Sequence, residues 1–168
     1  TVDVNCTLTL ISGTLTAPNA SGALTLSGDM TVSGSPTFTH NSGTVTFDGA
    51  ANQTLTTNSV TFNSLTLNNS GAAGSDRLII SGTLDVDGTL TLTDGNLYLT
   101  TNNPTVNTAG SVSIAAAGAV TKGTGTWTFD GSSGATLTGN SQDLGTVTVD
   151  GTAKTVTLGG ATTFGTLT

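Results

Sequence analysis

Apolar and polar residues alternate in short segments along the whole chain, and most segments end at Asp or Asn followed by Gly. The stretch GTVTFDG starts at Gly43, and GTWTFDG starts at Gly125. Successive strand residues face opposite sides, so this alternation predicts β-strands with one buried face. Asp, Asn and Gly after each segment predict tight turns. The pattern therefore predicts an all-β protein.

The segments recur at two periods. Aligning Thr83 with Thr1 places TLDVDGTLTL on TVDVNCTLTL, and the register holds without a gap to about Asn69. Within each unit a segment starts every 19 to 22 residues: Thr1, Ala23, Thr44, Ser64, Thr83, Thr105, Thr126 and Thr146. We expect one domain, 1–168, with repeat units 1–82 and 83–165, each of four turns. Residues 166–168 would start the next rung, where a rung is one turn of the chain.

A period of about 20 residues with strict alternation is typical of a β-solenoid. The predicted fold is an all-β parallel β-helix of about eight rungs, in which equivalent residues stack into columns. One inward column is predicted to contain Val2, Leu24, Val45, Leu65, Leu84, Val106, Trp127 and Val147. A column of corner residues is predicted to contain Gly28, Gly49, Gly88, Gly110, Gly131 and Gly151, turning through positive φ. Cys6 and Asn69 stand in that column as exceptions.

Composition and charge reduce the number of functional classes that are expected for this chain. Only 8% of residues are charged, all ten acids are Asp, and the net charge is −7. Phosphate binding requires clustered Lys and Arg, whereas Arg77, Lys122 and Lys154 are far apart in sequence, so we expect no nucleic-acid partner. No apolar run reaches the roughly 18 residues of a membrane span, and we expect none.

Three segments share one pattern, in which Thr or Ser alternates with apolar residues and Asn, Asp or Gly follows: GTLTLTDGNLYL at Gly88, GTVTFDG at Gly43 and NSLTLNN at Asn63. It resembles the Thr/Gly/Asn-rich β-solenoid repeats of large secreted bacterial surface proteins, including adhesins of the filamentous-haemagglutinin and autotransporter-passenger kinds. The resemblance covers the whole chain. It implies an extracellular or cell-surface rod with a structural or adhesive role, and it transfers no catalytic residue.

The corner also carries a predicted column of acidic and amide residues: Asn5, Ser27, Asp48, Asn68, Asp87, Ala109, Asp130 and Asp150. Stacked carboxylates about 4.8 Å apart can share a hard cation, and Asp130 with Asp150 is the best candidate calcium pair. The alternative is that these side chains cap turns and form hydrogen bonds along the column. Apart from this possible calcium ion, no cofactor is expected.

Outward positions of the same segments carry a T-x-T array. A regular array of hydroxyl groups suggests a face that binds ice or carbohydrate, although Asp3, Asp85 and Asn107 would interrupt it. The alternative is that Thr simply suits the solvent face of a strand. Catalysis by Asp85 and Asp87 would require a neighbouring acid or basic group, and the lone His40 is expected in a loop. We therefore expect no enzyme.

Both ends of the predicted solenoid lack atypical capping repeats. The chain opens on the strand TVDV and closes on TLT. Exposed strand edges template further pairing. The sequence therefore predicts head-to-tail self-association through the terminal rungs, as a filament or as a longer covalent array, with Cys6 near the junction between units.

Overall fold

The computed structural model describes residues 1–150 and 154–168, and this part of the chain contains twenty strands and no helix. The strands are β1 Val2–Val4, β2 Leu8–Leu10, β3 Thr14–Thr16, β4 Ala23–Leu26, β5 Met30–Val32, β6 Thr37–Thr39, β7 Thr44–Phe47, β8 Gln53–Thr56, β9 Thr61–Phe62, β10 Ser64–Asn68, β11 Arg77–Ser81, β12 Leu84–Val86, β13 Leu90–Tyr98, β14 Val106–Thr108, β15 Val112–Thr121, β16 Thr126–Phe129, β17 Ala135–Thr138, β18 Thr146–Val149, β19 Val156–Leu158 and β20 Thr166–Leu167.

The strands stack in parallel on three faces, which confirms the predicted parallel β-solenoid. Face I contains β1, β4, β7, β10, the first parts of β13 and β15, β17 and β19. Face II contains β2, β5, β8, β11 and the second parts of β13 and β15. Face III contains β9, β12, β14, β16, β18 and β20. It is continued by β3 and β6, since Phe38 of β6 packs against Phe62 of β9 with ring centroids 5.6 Å apart.

Face I contains an inward column of eight residues. Each step from one residue of the column to the next passes one turn along the rod, so there are seven steps. The column is Val2, Leu24, Val45, Leu65, Leu90, Val112, Leu137 and Leu158. The predicted stacking of Val45 on Leu65 is confirmed. The predicted step from Leu65 to Leu84 is wrong, because Leu65 pairs with Leu90. With rungs about 4.8 Å apart, seven steps give a rod about 34 Å long.

The repeat unit of the sequence is consequently not four turns of the solenoid. Val2 lies on face I, whereas its equivalent Leu84 lies on face III, and Leu8 on face II corresponds to Leu90 on face I. One repeat unit therefore covers three turns and two faces of a fourth. The physical reason is that turn length varies. The step from Leu65 to Leu90 uses more of the chain than any of the three steps before it.

Apolar side chains from the three faces fill the interior of the rod. Trp127, Phe47, Phe62 and Phe129 are its largest fully buried residues. The alternation of buried and partly exposed positions within the strands, as in the four residues of β7, follows the period of 2 read from the sequence. Burial of these side chains is the main stabilising contribution to each rung.

The corner glycines are required by close stacking rather than by positive φ. They do not form the single predicted column, because Gly28 and Gly49 follow strands of face I, whereas Gly88, Gly110 and Gly131 follow strands of face III. None of these five has positive φ, and Gly151 lies outside the described residues. A Cβ atom on Gly88 would lie 2.6 Å from the carbonyl oxygen of Asn63 in the preceding rung, and one on Gly28 would lie 2.7 Å from Thr7 N. Positive φ occurs instead at other turns, for example at Gly34 and Gly82. The prediction of a left-handed corner was therefore wrong.

A buried polar brace joins neighbouring rungs at the corner between faces I and II. Gln53 is 1% exposed, and its Nε2 donates to the carbonyl oxygens of Leu26, at 2.8 Å, and Gly28, at 2.7 Å. Its Oε1 accepts from Gly49 N at 3.0 Å and from Asn69 Nδ2 at 3.1 Å. Asn69, an exception in the predicted glycine column, is fully buried as part of this brace.

Candidate functional site

Face I presents two parallel columns of hydroxyl side chains, which we call the hydroxyl face. The first column contains Thr25, Thr46, Thr66, Thr91, Ser113 and Thr138. The second contains Thr44, Ser64, Thr89, Ser111, Thr136 and Thr157. Neighbours lie about 4.8 Å apart along a column and about 6.6 Å apart along a strand. The result is a regular lattice of hydroxyl and methyl groups with no charged member.

Two of the three residues expected to interrupt this array lie on another face, and the third lies at its first rung. Asp85 and Asn107 pair with each other on face III and not on the hydroxyl face. Asp3 does lie on face I, but in the first rung, where it pairs with Thr25. The predicted single array is therefore wrong, because it joined strands of two faces. The first column is uninterrupted from Thr25 to Thr138.

The predicted acidic column is likewise divided between two corners. Asn5 and Ser27 lie between faces I and II, where the Ser27 hydroxyl donates to Asn5 Oδ1 at 3.1 Å. Asp87, Asp130 and Asp150 directly follow strands of face III. Asn5 and Ser27 thus form the hydrogen bond along the column that the turn-capping alternative describes.

Asp130 and Asp150 directly follow the paired residues Phe129 and Val149, so they lie on neighbouring rungs as predicted. Among the residues described, no group of three or more His, Cys, Asp or Glu side chains could hold a metal ion. A calcium ion takes six to eight oxygen ligands. At this corner the ammonium group of Lys154 donates to the carbonyl oxygen of Ala109 at 2.6 Å. The calcium site remains a prediction, and a lysine cation lies beside it.

Burial, together with neighbouring charges, raises the pKa of Asp130 above its ordinary value. Partial burial raises this pKa above its ordinary value, and the nearby charges of Asp85 and Asp87 raise it further. The backbone hydrogen bond of Asp130 and the charge of Lys154 act in the opposite direction and are outweighed. Burial in turn lowers the pKa of the Lys154 ammonium, opposed by the charge of Asp130.

These shifts predict that Asp130→Asn raises the thermal midpoint at pH 7. A raised pKa means that the folded state binds the Asp130 proton more tightly than the unfolded state does. The resulting stabilisation is fully present below the unfolded pKa and is lost as pH rises through the folded pKa. Asn cannot ionise, so its advantage at pH 7 should vanish at pH 3. Thermal unfolding of both proteins at the two pH values measures the effect, and an equal advantage at both would contradict it.

Both ends of the rod expose core residues. Large apolar side chains that are more than half exposed occur only in the terminal rungs of the described chain: Val2 at 52%, Ile11 at 62%, Leu158 at 53% and Leu167 at 59%. The C-terminal end also contains an open cavity of about 160 Å³, lined by side chains that include Phe129, Val149 and Phe164. The interior of the solenoid is thus accessible to solvent at this end.

Known proteins give no further guide to these surfaces. No family model matches the chain, and neither a curated protein nor a solved structure matches it. A search of the described residues finds no helix that is long and apolar enough to span a membrane.

The candidate catalytic carboxylates have structural partners. Asp85 Oδ2 accepts from the Thr61 hydroxyl at 2.8 Å, and Asp87 Oδ2 lies 3.8 Å from His40 Nε2. His40 lies in a turn, as expected, and its Nδ1 accepts from Ser42 N at 3.1 Å. The Thr61–Asp85 bond joins neighbouring rungs, and the contact between Asp87 and His40 spans two rungs. That the chain is not an enzyme stays a prediction.

Proposed function

We propose that this chain is a structural segment of an extracellular fibre or surface adhesin, in which the rod continues end to end. The observation that carries the proposal is the exposure of core residues at both ends, with Val2 and Ile11 at one and Leu158 and Leu167 at the other. Exposed apolar patches favour association, and exposed strand edges accept further strands. If the rod continues at both ends, further rungs cover the exposed apolar side chains and strand edges of the two terminal rungs.

The extracellular and adhesive part of the proposal draws on the sequence style. The low charge, the T-x-T segments and the repeated turns resemble those of secreted bacterial surface proteins. A uniform rod with parallel hydrogen bonding along its length suits a shaft that separates a binding tip from a cell surface. Head-to-tail contacts of this kind are heterologous and do not close, so they extend into filaments.

Electron microscopy and sedimentation velocity test this proposal on the 168-residue chain. We expect rods several times longer than the roughly 34 Å of one chain, with a population that grows with protein concentration. Leu158→Asp should shorten them to single units, because it places a charge on the exposed C-terminal edge. Ser113→Asp, on the side of the rod, is the matched control and should leave rod length unchanged. Single particles at every concentration would contradict the proposal.

A second candidate function is that the hydroxyl face binds an ordered surface. Ice is the leading candidate ligand. The uninterrupted column from Thr25 to Thr138 favours it, since the interrupting residues Asp85 and Asn107 lie on face III. Hydroxyl groups at fixed spacing can hold first-shell waters at equally fixed spacing. A glycan with a regular repeat is the other ligand that this lattice could contact.

Thermal hysteresis distinguishes this candidate from a purely structural rod. If the face binds ice, Thr66→Tyr should abolish the hysteresis of the wild type, because a bulky ring in the centre prevents flat contact. Thr128→Tyr, on face III, is the matched control and should keep it. A wild type without hysteresis excludes ice, and a glycan screen then tests the remaining ligand class.

A further inference from the structure

We propose that face II carries a lateral docking surface for a second copy of this chain, centred on Arg77 and Tyr98. The second copy lies parallel to the first and places on this surface the corner between its own faces III and I. The inference rests on the proposed fibre and adds how neighbouring rods pack side by side. The contact lies on the middle turns of the rod.

The outer surface of face II changes at the fourth turn. In the three turns before it, the outward strand residues are all threonines: Thr9, Thr31, Thr54 and Thr56. In the fourth and fifth turns they include Arg77, Ile79 and Tyr98, each partly exposed. The Arg77 guanidinium carbon lies 4.3 Å from the centroid of the Tyr98 ring, and Ile79 pairs with Tyr98 on the neighbouring strand. Arg and Tyr are enriched at the energetic centres of protein interfaces, and the only Arg and the only Tyr of the sequence stand together here.

Arg77 forms no ion pair with any residue that the structure describes. The other two basic side chains are occupied, since Lys122 pairs with Asp143 and Lys154 donates to the carbonyl oxygen of Ala109. The Nε atom of Arg77 is buried and has no hydrogen-bond partner among the described residues. A guanidinium group stacked on an aromatic ring is held in one orientation and is weakly hydrated, and a carboxylate is its best-matched partner.

The surface that can supply this carboxylate lies on the opposite side of the rod. Three faces enclose the core, so the corner between faces III and I lies opposite face II. Asp87 directly follows β12 at this corner, and its side chain is 57% exposed. Because β11 and β12 belong to one turn, Asp87 and Arg77 lie at the same level along the rod. Copies that lie side by side in register therefore bring Asp87 of one to Arg77 of the next.

The next turn is matched in shape. Tyr98 lies in the fifth turn, and the corner residues at that level are Ala109 and Gly110, which directly follow β14. These small residues leave room for the Tyr98 ring. The two surfaces differ and lie on opposite sides, so the contact is heterologous and does not close, and further copies extend it into a raft. In a continuous rod the contact repeats, so contacts that are weak singly add together.

Sedimentation equilibrium in a Leu158→Asp background isolates the lateral contact, because this substitution should prevent end-to-end association. We expect this parent to form pairs and larger rafts as its concentration rises. Arg77→Gln and Asp87→Asn should each weaken association by at least about tenfold. An equimolar mixture of these two variants should recover pairs but nothing larger, because each pair then has one intact contact. Lys122→Gln, which removes the same charge from another corner, is the matched control and should associate like the parent. Thermal unfolding confirms that each variant is folded.

The outcomes separate this inference from the proposed function. Equal association of the parent and Arg77→Gln overturns the docking surface, and a mixture that forms no pairs overturns its heterologous geometry. A parent that remains single also overturns the second copy as occupant; if it binds polygalacturonate only with Arg77 present, the surface serves an acidic glycan instead. Long rods formed with Leu158 intact would leave the end-to-end function standing in each of these cases. Rafts that depend on Arg77, without any long rods, would support the lateral contact alone.

Discussion

Replacing Gln53 with Leu is expected to reduce the free energy of unfolding by about 3–5 kcal/mol, because it leaves several buried polar groups without a partner. The amide of Gln53 bonds the carbonyl oxygens of Leu26 and Gly28, the backbone N–H of Gly49 and the side chain of Asn69. Leu is close to Gln in size and cannot replace any of these bonds. Urea unfolding monitored by circular dichroism measures the loss.

Gln142→Leu is the matched control for this prediction. Gln142 is half-buried, and its side chain accepts one hydrogen bond, from Val120 N at 3.0 Å. Its loss should cost about 1 kcal/mol. If both variants lose the same amount of stability, the brace at Gln53 has no special role in holding its rungs together.

Gly110→Ala is the second substitution with a large expected effect. A Cβ atom at this position would lie 2.7 Å from the carbonyl carbon of Gly88 in the preceding rung, and closer still to its oxygen. These atoms are backbone and cannot rotate away, so the two rungs must separate locally. We expect a loss of about 3 kcal/mol or more, at the upper end of what overpacking costs. Thermal and urea unfolding give the value.

Gly160→Ala separates this stacking effect from the general effect of replacing a glycine. Its added Cβ atom would meet only Thr138 Cγ2, at 3.9 Å, and its φ is not positive. The stability should therefore change by no more than about 0.5 kcal/mol. A large loss at Gly160, or none at Gly110, would mean that the close spacing of rungs does not explain the corner glycines.

The sequence predicted the fold because two patterns agree in this chain: the local alternation of apolar and polar residues, and the recurrence of the strand segments along the whole sequence. Alternation and a period of about 20 residues specify stacked parallel strands, and the pairing of Val45 with Leu65 follows directly. The offset between the two repeat units could not be predicted in the same way. Sequence identity aligns Leu84 with Val2, but the face on which Leu84 lies depends on the summed length of the corners before it. Those lengths become known only from the paired strands.

The polar brace was missed although the sequence contained a signal for it. Gln53 is in phase with Leu55, so alternation places it inward, and the alignment of the two repeat units matches it with Ala135. A polar residue in an inward phase, where the other unit has an apolar one, indicates a buried polar contact. The reason for the corner glycines was also misjudged. A column of Gly is compatible with either positive φ or close stacking, and only the distances between rungs distinguish the two.

Cysteine cross-linking of engineered pairs, in a Cys6→Ser background, tests the register of the solenoid most directly. Thr66 and Thr91 are paired neighbours on face I, and adjacent strands about 4.8 Å apart suit a disulfide. The pair Thr66→Cys and Thr91→Cys should therefore oxidise readily, as measured by mass and free-thiol content. The pair Thr66→Cys and Asp85→Cys, on faces I and III, should remain reduced. Oxidation of the second pair and not the first would show that one repeat unit makes four whole turns, and would contradict this structure.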